Sequence, residues 1–131
     1  MLRRPDVPVD PRPEALPKEK RLAKRAEYLR VYEVGRKFFS RYCVVFLAAN
    51  GLPVSRIGVT ATKKLGKANV RNRLKRWTRE TYRRHRALLD LDKQSLDIVV
   101  NVKQNAAVAA FSDYSRDLER VLRRAASEPK A

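Results

Sequence analysis

The stretch ATKKLGKANVRNRLKRW, residues 61–77, holds seven Lys and Arg and not one acidic residue. Drawn on a helical wheel together with its continuation to residue 88, it splits into two faces. Val70, Leu74, Trp77, Thr81 and Leu88 fall within about 40° of one line, a narrow apolar stripe that seats one side of a helix on a sheet. Arg71, Asn72, Lys75, Arg76, Arg79, Arg83 and Arg86 fill the opposite arc. Glu80 is the only acid on this helix and lies four residues from both Arg76 and Arg84; each such pair returns about 0.2–0.5 kcal/mol. The remaining cations have no counter-charge on the helix. Their repulsion must be offset from outside, and a phosphate backbone supplies that offset. An ordinary solvated face would intersperse both signs. Lys63, Lys64 and Lys67 stand just before the helix, at the end whose backbone dipole favours anions. The single Gly66-Lys67 pair lacks the spacing of a nucleotide-binding loop.

The rest of the chain agrees with a polyanionic partner. Its 131 residues make one domain, and 31 Lys and Arg against 14 Asp and Glu leave a net charge of +17. That exceeds the magnitude of about 2–8 that solubility asks of a small domain. Nucleic acid is the first partner implied, an anionic membrane surface the second. No apolar run approaches the ~18 residues of a membrane span, and Arg3 and Arg4 are followed by no apolar stretch of a secretory signal. Cys43 is the only cysteine, so no intramolecular disulfide forms, which fits a reducing, cytoplasmic setting.

Five of the seven prolines fall in residues 1–17, which read as a flexible tail. Residues 18–126 read as the folded domain and 127–131 as a flexible end. Within the domain, 22–34 reads as a helix, with Leu22, Leu29 and Val31 apolar, Tyr28 and Tyr32 four apart on one face, and Gly35 ending it. Residues 39–49 read as a strand, Tyr42, Val44 and Phe46 facing one way and Cys43, Val45 and Leu47 the other. A turn at 50–53 leads to a strand at 55–62, with Ile57, Val59 and Ala61 on one side. The basic helix runs to about Leu89. A third strand at 96–103 turns Leu96, Ile98, Val100 and Val102 inward. A last helix covers 112–126, with Ser112 as N-cap and Tyr114, Leu118, Val121, Leu122 and Ala125 as its apolar stripe. This order, helix, strands, helix, strand, helix, is an α+β domain with helices packed on a sheet.

At the basic helix the pattern becomes specific. Lys63-Lys64-x-Gly66-x-Ala68-x-x-Arg71-Asn72-Arg73-x-Lys75-Arg76, followed by Arg79-Glu80 and Tyr82, resembles the signature of the bacterial ribonuclease P protein family. Upstream, Tyr28-x-x-Val31-Tyr32-x-x-Gly35-Arg36, then Arg41 and an apolar strand through Phe46, resembles that family's first helix and strand. The likeness runs from about Leu22 to Arg124. Asn69 stands where the family more often has an apolar residue, and the proline-rich leader is longer than usual. The resemblance implies a two-layer α/β sandwich similar to a ribosomal-protein fold, with a left-handed crossover around the basic helix. It implies a subunit of the ribonuclease P endoribonuclease, which binds a catalytic RNA and helps remove the 5′ leader of precursor tRNA. On that likeness, Lys63, Lys64, Lys67, Arg71, Asn72, Arg73, Lys75, Arg76, Arg79 and Arg83 face the catalytic RNA. Tyr28, Tyr32, Phe46, Arg36 and Arg41 line a cleft for the single-stranded leader. Aromatics on a basic platform stack unpaired bases with little sequence preference. Read from pattern alone, Tyr28, Tyr32 and Phe46 serve equally as core.

A catalytic set is not evident in the sequence. His85 lies at the border of the basic helix. Asp90 and Asp92 read as a loop, and Asp113, Asp117 and Glu119 as charge pairs with Arg116 and Arg120. Cys43 reads as a buried thiol and Trp77 as core. The family implies that RNA and Mg2+ ions carry the hydrolysis, with no small-molecule cofactor and no membrane. The alternative is a ribosomal or other structural RNA-binding protein without a role in cleavage. A DNA-binding module is disfavoured, since only Asn69 and Asn72 offer amides to read base edges.

Overall fold

The computed structural model describes residues 18–85 and 94–127. The proline-rich tail, the end of the basic helix with Arg86 and Leu88, Asp90, Asp92 and the last four residues lie outside them. The elements run α1 (Arg25–Val34), β1 (Arg36–Phe39), β2 (Cys43–Ala49), β3 (Arg56–Thr60), α2 (Ala68–His85), β4 (Leu96–Val102) and α3 (Phe111–Ser127). Short 3-10 turns occupy Lys63–Leu65 and Gln104–Val108. The four strands form one sheet in the order β1-β2-β4-β3. β1–β2 and β2–β4 are antiparallel, whereas β3 and β4 are parallel. The chain therefore leaves β3, passes through α2 and returns beside β3 as β4, a crossover around the basic helix.

Period two sorts the strands onto two faces. Val45, Leu47, Ile57, Val59, Ile98 and Val100 meet Leu74 and Tyr82 of α2 and Tyr114, Leu118 and Leu122 of α3 in the larger core. Phe46, Ala48 and Val99 meet Val31 of α1 and Leu22 in the smaller one, with Tyr28, Tyr32 and Val44 packed at its margin. β4 is covered on both sides, which is why it reads as a nearly continuous apolar run.

Several boundaries differ from the sequence reading for identifiable reasons. Residues 36–39 form a separate strand, since Ser40 caps a tight turn: its Oγ accepts from Cys43 N at 3.2 Å, and its N–H donates to Cys43 O at 2.9 Å. Tyr42 thus precedes β2 and packs with Tyr114 in the larger core, opposite to the alternation read from sequence. Asp117, read as one of the charge pairs with Arg116 and Arg120, does approach Arg120 at 3.5 Å but is itself buried. It accepts from Ser40 Oγ at 2.8 Å and from the backbone N–H groups of Tyr42 and Arg41 at 2.9 and 3.2 Å. α3 begins at Phe111, where Ala110 O accepts from Tyr114 N, so Ser112 lies inside the first turn instead of capping it. In α2 the seat includes Thr78 and Tyr82, both fully buried, while Trp77 and Val70 sit at the edge of the core. Leu22 lies before α1 and donates its N–H to Ile57 O; Leu29 is largely exposed.

One ionic network holds α1 to the sheet. Arg56 grips its β4 neighbour Asp97 with two parallel bonds, Nε to Oδ1 at 2.9 Å and Nη2 to Oδ2 at 2.7 Å, and reaches Glu27 Oε2 with Nη1 at 2.8 Å. Asn50 Nδ2 donates to Asp97 Oδ1 as well. The other Glu27 oxygen accepts from the N–H groups of Ala23 and Lys24, closing the N-terminus of α1. The Lys24 and Ala23 backbone donors, with Arg56 beside them, hold the Glu27 carboxyl below its ordinary 4.5.

Two outcomes follow for stability. At Gly35 an added Cβ would lie 2.4 Å from Val31 O and 2.9 Å from Leu47 O, both backbone atoms with no room to retreat. Gly35→Ala is expected to destabilise the domain by about 1–3 kcal/mol in urea denaturation; an unchanged midpoint contradicts this packing. Glu27→Ala removes the cap and the Arg56 link, at about 1 kcal/mol near neutral pH. Because the folded carboxyl titrates below its unfolded value, this stabilisation is complete above that unfolded value and is lost as pH falls through the folded one. The difference between wild type and variant should therefore shrink when melting is followed from pH 7 to pH 3.

Candidate nucleic-acid interface

The amphipathicity of α2 does two jobs at once. Leu74, Thr78, Thr81 and Tyr82 are buried against the sheet and α3, with Thr78 Oγ1 2.6 Å from the Tyr114 hydroxyl. That seat fixes which side chains point away. Lys63, Lys64, Lys67, Asn72 and Arg76 are exposed, and Arg71, Lys75, Arg79 and Arg83 half-exposed. Among the described residues, Lys63, Lys64, Lys67, Arg71, Arg73, Lys75, Arg76 and Arg79 have no carboxylate within salt-bridge reach. Glu80 is buried beneath the helix end and pairs with Arg84 at 2.6 Å and Arg83 at 3.3 Å, not with Arg76. Arg83 is thus partly neutralised, unlike the rest of the set. His85 is held at the same end: Nδ1 lies 2.9 Å from Thr81 O and Nε2 3.4 Å from Glu119.

Two of the predicted RNA-facing arginines have different surroundings from their neighbours. Arg73 turns back on the fold. Its Nη2 donates to Ala107 O at 3.0 Å, its guanidinium lies 5.2 Å from the Trp77 ring centroid, and its Nε is buried without a partner. Arg73 is a strut between α2 and the Gln104–Val108 turn. That turn is tied further by Gln104 Nε2 to Lys64 O and Asn105 Nδ2 to Arg41 O. Arg79 reaches over the β3 edge. With Arg21, Leu22, Ala23, Tyr28, Ile57 and Gly58 it lines a recess of about 260 Å³.

The predicted cleft residues divide between the two sheet faces. Tyr28, Tyr32 and Phe46 converge on the α1 face. Tyr28 lies flat enough on β3 that a Cβ at Gly58 would come within 2.5 Å of its hydroxyl, and burial pushes its phenol pKa up. The Tyr32 hydroxyl is 2.8 Å from Asn101 Oδ1 and 3.0 Å from Thr60 Oγ1, and its ring meets Phe46 edge-on at 4.9 Å. Phe46 is only 8% exposed, so it is the floor of this face and packs where stacking was envisaged. Arg36 and Arg41 are not part of it. Arg36 shares the opposite face with Phe38, 5.3 Å from that ring, and Arg41 sits in the β1–β2 turn over Tyr42 at 5.1 Å. Lys37 takes the place assigned to Arg36: it pairs in register with Phe46 and its Nζ lies 5.7 Å from that ring centroid. Phe39, two residues on, stands exposed on the same face. Period two across RKFF at 36–39 carries the signal for both, once those residues are recognised as a strand.

Cys43 offers no reactive thiol. It is fully buried beside Ser40 Oγ, and burial pushes its pKa up to about 12. Among the described residues no helix is long and apolar enough to cross a membrane.

Comparison with known proteins meets this geometry independently. The pattern of the Ribonuclease P family matches residues 16–126. The ribonuclease P protein component of Syntrophus aciditrophicus is 38% identical over 103 residues, 79% of this chain and 84% of that protein. That of Desulfovibrio desulfuricans is 40% identical over 103 residues, 77% and 76% of the two chains. Among solved structures, the Staphylococcus aureus RNase P protein superposes with a TM-score of 0.74 at 32% identity, covering 81% of this chain and 94% of that one. The Thermotoga maritima RNase P protein gives 0.71 at 32% identity, with 79% and 96% covered. With a family match over most of the sequence and relatives well above 30% identity, this chain belongs to the ribonuclease P protein family.

Proposed function

We infer that the chain is the protein subunit of ribonuclease P, acting in maturation of the tRNA 5′ end, and that it joins the catalytic RNA to the leader of precursor tRNA. One observation carries the division of labour: among the described residues the cations of the Lys63–Leu65 turn and of α2 as far as Arg79 lack carboxylate partners, while the aromatic strip lies across the β3 edge from them. Lys63, Lys64, Lys67, Arg71, Asn72, Lys75 and Arg76 then meet phosphates of the catalytic RNA, each neutralisation releasing condensed counterions. Arg73 holds the surface in shape, and Arg79 lies at the seam between the two regions. Tyr28 and Tyr32, with Lys37 beside them, supply a sequence-tolerant platform for the unpaired leader. Family membership favours this over the alternative of a ribosomal or structural RNA protein.

Mg2+ belongs on the RNA side of the complex. Three carboxylates held in the fold are already committed elsewhere: Asp97 is gripped by Arg56, Asp117 accepts backbone N–H groups, and Glu27 caps α1. Among the described residues no three His, Cys, Asp or Glu converge. This chain contributes binding, orientation and charge, and a cytoplasmic setting fits a chain with one buried free thiol.

Replacing Lys67, Arg71 and Arg76 by Glu is expected to weaken assembly with the catalytic RNA and to lower the log–log salt slope of binding by roughly 2–3. Filter binding over a salt series reads both; an unchanged affinity at low salt refutes the face. Combining Tyr28→Ala with Lys37→Ala should leave assembly intact and weaken holoenzyme binding of precursor tRNA by about fivefold or more, with mature tRNA unaffected. Equal loss for both tRNAs, in a variant with unchanged circular dichroism, counts against a leader platform.

A further inference from the structure

Phe38 and Phe39 are neighbours in β1 with opposite fates. Phe38 is buried under α3, with the Arg124 guanidinium 5.4 Å from its ring centroid. Phe39 faces the other way and is 60% exposed on an edge strand. Beyond it, the β1–β2 turn and α3 enclose a recess of about 230 Å³, walled by Phe39, Ser40, Arg41, Arg120 and Arg124 with Asp117 at its base. Asp117 pairs with Arg120 alone, at 3.5 Å, and leaves that side chain 71% exposed; its oxygens also accept from Ser40 Oγ and two backbone N–H groups. Arg41 and Arg124 have no carboxylate partner among the described residues. An exposed aromatic ring beside three guanidinium groups, only one of them with a carboxylate partner, combines a stacking surface with phosphate donors. A free phosphate would use the arginines and leave the ring idle.

We propose that this recess binds an unpaired RNA strand, one base stacking on Phe39 and the adjoining phosphate lying among Arg41, Arg120 and Arg124. The strand is the distal part of the precursor-tRNA leader, so the proposal rests on the leader reading above. Position decides between leader and catalytic RNA. The basic helix reaches the sheet at the β3 edge, through Arg79 and Tyr28, whereas Phe39 lies at the opposite edge, three strand spacings of ~4.8 Å away. Lys37 and Phe46 lie between, on the same face as Phe39. A strand entering beside α2 and crossing that face leaves it over Phe39.

The test uses holoenzyme reconstituted from the full chain and its catalytic RNA. Its probes are two precursor tRNAs, one with a leader ending on the Tyr28–Tyr32 strip and one extended by several unpaired nucleotides. Phe39→Ala, and separately Arg120→Ala with Arg124→Ala, should weaken the long-leader substrate by about fivefold or more and leave the short one unchanged; Phe39→Trp should retain wild-type affinity. Equal effects on both leaders, no effect on either, or a loss confined to assembly with the catalytic RNA overturns the proposal. Melting curves of Phe39→Ala guard against misfolding, since the position is exposed. The two readings fail separately. If Tyr28→Ala with Lys37→Ala discriminates precursor from mature tRNA while Phe39→Ala is silent, only the recess falls. If Phe39→Ala alone acts on the long leader, the recess stands and the Tyr28–Tyr32 platform falls.

Discussion

A chain carrying +17 has to fold against its own field, and the placement of its few carboxylates governs everything else. Four of those in the described residues sit where a cation or a row of backbone donors would otherwise lie alone in the fold. Asp97 and Glu27 meet Arg56, Asp117 closes the β1–β2 turn, and Glu80 gathers Arg83 and Arg84 at the far end of α2. Breaking any of these would strand a charge in a low-dielectric site, which costs far more than an exposed pair returns. Acids committed inward are absent from the surface formed by the Lys63–Leu65 turn and the first part of α2. The uncompensated face is the complement of a well-compensated interior.

The same network explains why the aromatic strip exists. Arg56 bridges α1 to β4 through two acids, so α1 is held over β2 and β4 and leaves the β1 side more open. Gly58 lets Tyr28 lie directly on β3, and the paired hydrogen bonds of Tyr32 lock the second ring to β3 and β4. Rings held this way would lose little further freedom on stacking against a ligand, a saving in ordering entropy that a floppy aromatic would not offer.

Much of this was legible in the sequence where a period was long and unambiguous. The inward sets of β3 and β4, the apolar stripe of α3 and, as far as Arg83, the basic arc of α2 lie as their spacing indicates. The losses came where a period was short or interrupted. Four residues, RKFF, are too few to separate from a loop by alternation, and merging 39–42 into the following strand put Tyr42 on the wrong face. Arg36 was assigned to the cleft on the family likeness, with no strand register behind it; in β1 it lies on the face of Phe38. The burial of Asp117 was unreadable because its β1–β2 turn partners lie some 75 residues away in the chain, and tertiary hydrogen bonds leave no local pattern.

The Arg71-Asn72-Arg73 triplet shows why composition alone does not assign contacts. Arg71 stays at the surface, its Nε 3.3 Å from Gly66 O, with its remaining donors open. Arg73, two residues on, is rotated about 200° around the helix and meets the Gln104–Val108 turn and Trp77 instead. A guanidinium has five donors in a rigid fork, and each one turned into the fold is lost to a phosphate. The triplet therefore joins a solvent-facing cation to a load-carrying one across a single asparagine. Substitution of the second acts on the shape of the surface before it acts on its charge.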